Sequence, residues 1–127
     1  MLFLGQSKLV KPLKLWLPVL AWAALIFILS GTPYLKTDLK EDFILRKIAH
    51  ASEYFIFTFL LFRAFRGSFK ISETGAYACV FIVAFLYALS DEYHQTFIPG
   101  RNGASADVLI DLIGIFGFYI ILRFRKK

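Results

Sequence analysis

The sequence predicts an all-α polytopic membrane protein, folded as an antiparallel bundle of four transmembrane helices. Composition is the first observation behind this prediction: 58% of the 127 residues are hydrophobic, 18% are aromatic, and the mean hydropathy is +0.64. A soluble domain of this size would leave much of that Phe, Leu and Ile in contact with water. We therefore expect lipid to surround most of the surface of a single membrane domain, residues 1–127.

The second observation is the presence of four apolar stretches of suitable length, because a helix needs about 20 mostly apolar residues to cross the hydrocarbon core. These stretches are 13–30, 44–65, 74–94 and 105–122. The first has no small-residue cleavage site leading into a soluble domain, so we interpret it as an uncleaved signal anchor. The links between the stretches are short, which favours antiparallel neighbours in a compact bundle.

The basic residues indicate topology rather than nucleic-acid binding, although the net charge is +6. Lys and Arg stand in short blocks between the apolar stretches and not along one polar face. Ten of the 15 fall at the N-terminus, in the second link and at the C-terminus: Lys8, Lys11, Lys14, Arg63, Arg66, Lys70, Arg123, Arg125, Lys126 and Lys127. Because the cytoplasmic side holds the excess of Lys and Arg, both termini are predicted to be cytoplasmic in a multi-pass plasma-membrane protein.

This topology places polar residues from three spans on the same, extracytoplasmic side. Spacings of three and four confine the residues of each helix to one face. The members are Lys47, His50, Glu53 and Tyr54 on the second span, Asp91, Glu92, His94 and Gln95 on the third, and Asp107 and Asp111 on the fourth. Gly114 continues the face of the two acids, where a neighbouring backbone is expected to approach closely.

Several of these charges are predicted to lie below the membrane surface. Glu53 comes roughly 13 Å after Ile44 along the second helix, at about 1.5 Å per residue. An unpaired charge at that depth is costly, so Glu53, His50 and Asp111 are expected to face the bundle interior. Their expected partners are Lys47, Arg101 or a protonated histidine. A purely structural role in joining the helices is the alternative, but fewer residues would be enough for that.

The same residues carry a resemblance to a known family. The motifs are Phe27-Ile-Leu-Ser30, Lys47-x-x-His50-x-x-Glu53-Tyr54, Ser90-Asp91-Glu92-x-His94-Gln95-x-Phe97-x-Pro99-x-Arg101 and Asp107-x-x-x-Asp111-x-x-Gly114. From the first span onward, the chain resembles the VanZ-like family. Asp111 is a departure, because the family carries Asn there as often as an acid, and this affects the charge expected at the site.

The resemblance implies a link to the cell envelope. The namesake of the family is associated with low-level resistance to teicoplanin, a glycopeptide that acts on wall precursors outside the cell, and no settled biochemical activity accompanies the fold. The shared positions are Lys47, His50, Glu53, Asp91, Glu92, His94, Gln95, Arg101 and Asp107.

Our first hypothesis is a protein that binds or modulates an envelope ligand. Lys47, Arg46 and Arg101 would hold the phosphate or carboxylate of an anionic lipid, a lipid-linked wall precursor or a glycopeptide, since Arg suits bidentate contact with such groups. Membrane lipids are the general partners, nucleic acid is not expected, and self-association is left open.

The second hypothesis is an intramembrane hydrolase or transferase acting on a lipid-linked envelope substrate. His50 or His94 would be the general base, oriented by Asp91, Glu92 or Glu53. The histidines and acids are also ligand types for Zn²⁺. We nevertheless predict no metal and no cofactor, because His-x-x-Glu is not a zinc-protease motif and Lys47 lies one turn from His50. A proton or ion path is disfavoured, because 80–88 and 113–121 are apolar.

Overall fold

The structure is a computed structural model that describes residues 2–31, 40–98 and 105–125. Within these ranges it contains four helices: α1 (Leu2–Ser30), α2 (Lys40–Ser68), α3 (Glu73–Gln95) and α4 (Ser105–Arg125). The described chain is all helical, which confirms the predicted fold class. The helices extend past several of the predicted span ends, because backbone hydrogen bonding continues into the interface where the apolar stretch has already stopped.

Three of the helices are long and apolar enough to cross a membrane. The qualifying stretches are Lys11–Ser30, Ile44–Ser68 and Glu73–Gln95. Helix α4 has 21 residues and includes two acids near its start and two arginines near its end. Its crossing of the membrane stays a prediction.

Helices α2 and α3 form the centre of the bundle. Each of them contacts all three other helices, whereas α1 and α4 do not meet within the described part of the chain. The four helices therefore form a diamond, with α2 and α3 on its short diagonal. Large apolar side chains such as Leu20, Ile82 and Ile113 are exposed on its outside. That surface suits lipid, because its side chains are apolar and each helix satisfies its own backbone hydrogen bonds.

One stripe of α3 determines how closely the centre packs. The buried residues of this helix follow spacings of four and three, and most of them are small: Ala76, Val80, Ala84, Ala88, Asp91 and Gln95. Small side chains allow neighbouring helices to approach closely. The stripe changes from apolar to polar in its last two turns, so the same face that packs the core carries Asp91 and Gln95 to one end of the bundle.

Helix α1 is joined to the central pair by aromatic side chains. The Trp22 indole donates a hydrogen bond to the backbone carbonyl oxygen of Glu53 in α2 at 2.9 Å. The Tyr87 hydroxyl of α3 donates to the Ala23 carbonyl oxygen of α1 at 2.5 Å. These bonds satisfy the polar edges of the two rings inside an apolar bundle, and they fix α1 against both neighbours.

The backbones of helices α2 and α4 approach each other closely at Gly114. A Cβ atom at this position would clash with the carbonyl oxygen of Ala51 and would lie 3.0 Å from the Phe55 nitrogen. Both obstacles are backbone atoms, which cannot rotate away. The close approach predicted from the sequence is therefore confirmed.

We predict that Gly114→Ala lowers the free energy of unfolding by about 1–3 kcal/mol, because the added methyl group forces α2 and α4 apart. Denaturation in mixed detergent micelles, followed by circular dichroism, measures this. Gly117→Ala is the matched control, since its Cβ would meet only Phe55 Cδ2 at an ordinary 3.7 Å. Equal stability of the two variants would contradict the prediction.

Candidate functional site

The candidate site lies at the end of the bundle where α1 and α3 finish and α2 and α4 begin. Alternating helix directions bring these four ends together. The structure gathers there the residues that we call the polar cluster: Ser30, Lys47, His50, Tyr54, Asp91, His94, Gln95, Asp107 and Asp111. All of these residues except Ser30 belong to the three spans whose polar ends were predicted to lie on the same side of the membrane.

Two polar contacts connect α2 to α4, one helical turn apart. The Lys47 ammonium group pairs with Asp107, and the side chains are 26% and 14% exposed. One turn deeper, His50 Nδ1 lies 3.0 Å from Asp111 Oδ1, and the exposures fall to 14% and 1%. The contacts thus run from the end of the bundle into its interior, and the most buried acid faces a histidine.

A third contact, one turn further along α2, reaches α3. The Tyr54 hydroxyl donates a hydrogen bond to Asp91 Oδ2 at 3.3 Å. Tyr54 is fully buried and Asp91 is only 6% exposed. Three successive turns of α2 therefore bear side chains that bind a carboxylate of a neighbouring helix.

The end of α1 completes the site, which the sequence reasoning missed. The Phe27 ring stacks on the His94 imidazole, with 4.3 Å between ring centroids. A Cβ at Gly31 would lie 3.1 Å from His94 Cε1. His94 is thus packed against the last turn of α1. The one available signal was the motif Phe27-Ile-Leu-Ser30, which carried the resemblance but suggested no contact.

Four buried polar atoms of the cluster have no hydrogen-bond partner among the described residues: Ser30 Oγ, Asp91 Oδ1, His94 Nδ1 and Gln95 Nε2. Ser30 and Gln95 are 4% and 2% exposed. A buried polar group without a partner costs about 1–3 kcal/mol, and such groups in native proteins call for an explanation. Their concentration at one end of the bundle marks this place as a candidate binding site.

The remaining predicted site residues lie beside the cluster or outside the described chain. Glu53 and Glu92 are half-buried, on α2 and α3 respectively. Arg101 falls outside the described residues, so its expected pairing stays a prediction.

Fold and site together define a class: a small helical membrane protein whose helix ends surround a buried, charged site. Within this class the chain belongs to the VanZ/LLP1 family, whose family model matches residues 13–126. The resemblance read from the motifs is thereby confirmed.

The chain is also similar to the uncharacterized membrane protein YwnJ of Bacillus subtilis strain 168, with 38% identity over 90 residues. The match covers 68% of this chain and 56% of YwnJ, so the chain spans little more than half the length of that relative. No solved structure matches the chain.

We predict that Lys47 and Asp107 are energetically coupled. Lys47→Gln and Asp107→Asn each leave a charge without this partner in a partly buried place, and each should cost about 1–3 kcal/mol, less than the 3–5 kcal/mol of fully buried pairs. The double variant should recover a measurable part of the summed loss. Unfolding titrations of all four proteins give the coupling free energy, and strictly additive losses would contradict the prediction.

Proposed function

We propose that this protein binds, and thereby modulates, a lipid-linked ligand of the cell envelope, whose polar head group enters the polar cluster. The observation that carries this proposal is the group of four buried polar atoms on α1 and α3 without a partner in the described chain. A ligand that supplies their partners recovers the cost of burying them.

The chemistry of these atoms suggests a head group rich in hydroxyl and amide groups. Asp91 Oδ1 accepts hydrogen bonds and Gln95 Nε2 donates them, whereas Ser30 Oγ can do both. The sugar and peptide parts of a lipid-linked wall precursor, or of a glycopeptide, offer such groups. Lys47 supports an anionic ligand less than the sequence suggested, because Asp107 pairs with its ammonium group.

An apolar groove between α2 and α4 supports a ligand with a hydrocarbon chain. Its volume is about 450 Å³, and its lining includes Ala51, Phe55, Ile113, Gly117 and Ile121. Its lining on α2 begins at Ala51, the residue after His50 in the sequence, and its lining on α4 continues to Ile121, toward the opposite end of the bundle. An acyl or prenyl chain lying in this groove would place its head group next to the polar cluster.

The basic residues support an extracytoplasmic position for the cluster. Those within the described chain concentrate at the opposite end of the bundle, as Lys11, Lys14, Arg63, Arg66 and Arg123 illustrate. By the positive-inside rule that end is cytoplasmic, as are both termini. A cluster on the outer side of the plasma membrane is where a wall precursor or teicoplanin would reach it, which connects the proposal to teicoplanin tolerance.

We predict that only the cluster end reacts with a membrane-impermeant maleimide on intact cells. The single cysteine, Cys79, is first replaced by Ser, and a new cysteine is then introduced by Thr96→Cys or by Lys70→Cys, both at exposed positions at opposite ends of the bundle. Labelling of Thr96→Cys alone is expected. Labelling of Lys70→Cys instead would show that the topology is the reverse of the predicted one, and it would contradict an extracytoplasmic site.

We predict that Gln95→Met weakens binding of a polyprenyl-diphosphate-linked wall precursor at least tenfold without lowering thermal stability. The similar shape of Met preserves packing, and the amide nitrogen it removes has no partner among the described residues. Binding is measured in lipid nanodiscs, and teicoplanin susceptibility is measured in cells with equal membrane levels of protein.

Thr96→Val is the control, because its exposed hydroxyl donates a hydrogen bond to the backbone carbonyl oxygen of Tyr93 in the same helix turn. It should bind as the wild type does. If Gln95→Met binds the precursor equally well, or if it unfolds at a markedly lower temperature, the amide is a structural group and the proposal fails.

The contact between His50 and Asp111 favours a second candidate function, an intramembrane hydrolase or transferase. A carboxylate 3.0 Å from Nδ1 orients an imidazole, as a general base requires. Mass spectrometry of the precursor after incubation distinguishes the two functions. Recovery of the intact precursor supports binding, and a cleaved or transferred product supports the enzyme.

A further inference from the structure

We propose that His50, Asp91 and Asp111 form a binding site for one divalent transition-metal ion of the Zn²⁺ or Mn²⁺ kind. This site shares only Asp91 with the atoms assigned to the lipid ligand, and it needs no lipid ligand to form. It joins one residue from each of α2, α3 and α4.

The geometry of the three side chains fits one ion. One ring nitrogen of His50 and one carboxylate oxygen from each aspartate all lie within 4.8 Å of one another. Ligands bound at about 2.0–2.2 Å stand roughly 3–3.5 Å apart around a metal, and the His50–Asp111 separation of 3.0 Å already lies in that range. A small inward movement of the Asp91 carboxylate completes the triad.

The burial of the carboxylates supports a cation. Asp111 is 1% exposed and Asp91 is 6% exposed. Asp91 Oδ1 has no hydrogen-bond partner among the described residues, although its other oxygen accepts from Tyr54. Two ionised carboxylates beside a neutral imidazole balance the charge of a divalent ion, and ionised groups at such depth are rare without compensation.

The surroundings orient the ligands. The Tyr54 hydroxyl donates a hydrogen bond to Oδ2 of Asp91, and such a hydrogen bond to a ligand is typical of metal sites. The positive charge of Lys47, which argued against a metal from the sequence, faces the carboxylate of Asp107 in the next turn of α4. This pairing offsets the positive charge of the ammonium group, which would otherwise repel an ion.

The test is metal loading of the purified full chain, carrying an affinity tag without histidine. The protein is stripped with a chelator, exposed separately to ZnCl₂ and MnCl₂, and freed of excess ion. Elemental analysis is expected to find about one ion per chain for at least one of the two metals. Calorimetry should show at least tenfold weaker affinity for Asp111→Asn and Asp91→Asn, since each replaces an anionic carboxylate ligand by a neutral amide oxygen.

Glu73→Gln is the matched control, because it makes the same acid-to-amide change at the opposite end of α3. It should bind as the wild type does. If a variant unfolds, the wild type is loaded with Co²⁺ and its visible spectrum is measured instead. The spectrum should be that of Co²⁺ with nitrogen and oxygen ligands, and it should disappear when Zn²⁺ is added. Absence of a stoichiometric ion, or equal affinity in the Asp111→Asn and Glu73→Gln proteins, would overturn the proposal.

Discussion

The pairing of polar side chains between α2 and α4 is the constraint on which the rest of the structure depends. Lys47 meets Asp107, and His50 meets Asp111 one turn deeper. Because both pairs must close together, a slip of one residue between the two helices would break both contacts. The two pairs therefore set the register of α4 on α2, and Gly114 lets the backbones approach closely enough for the pairs to form.

Much of this architecture was predictable, because it follows from composition and spacing. Apolar length identified the helices, and the short links required antiparallel neighbours, so the polar ends of the second, third and fourth spans had to meet. The spacing of Asp107, Asp111 and Gly114 also predicted the close approach of a neighbouring backbone. Each of these inferences depends on one helix or on chain direction alone.

The partners within the site were not predictable, because they depend on how each helix is rotated about its own axis. Helical spacing places His50, Glu53 and Tyr54 on one arc of α2. Only the packing of the helices decides that the Tyr54 hydroxyl reaches Asp91 and that the backbone carbonyl oxygen of Glu53 accepts a hydrogen bond from Trp22. The participation of α1 was missed for the same reason. Phe27 and Gly31 are ordinary residues of an apolar helix end until His94 is packed against them.

The sequence separation of the paired residues has a consequence for biosynthesis. Lys47 and Asp107 are 60 residues apart, and His50 and Asp111 are 61 apart, so the partners leave the ribosome at very different times. The Lys47 and His50 side chains of α2 are therefore synthesised well before their partners on α4. The two contacts form only after α4 has been made, so they belong to a late step in the assembly of these four helices.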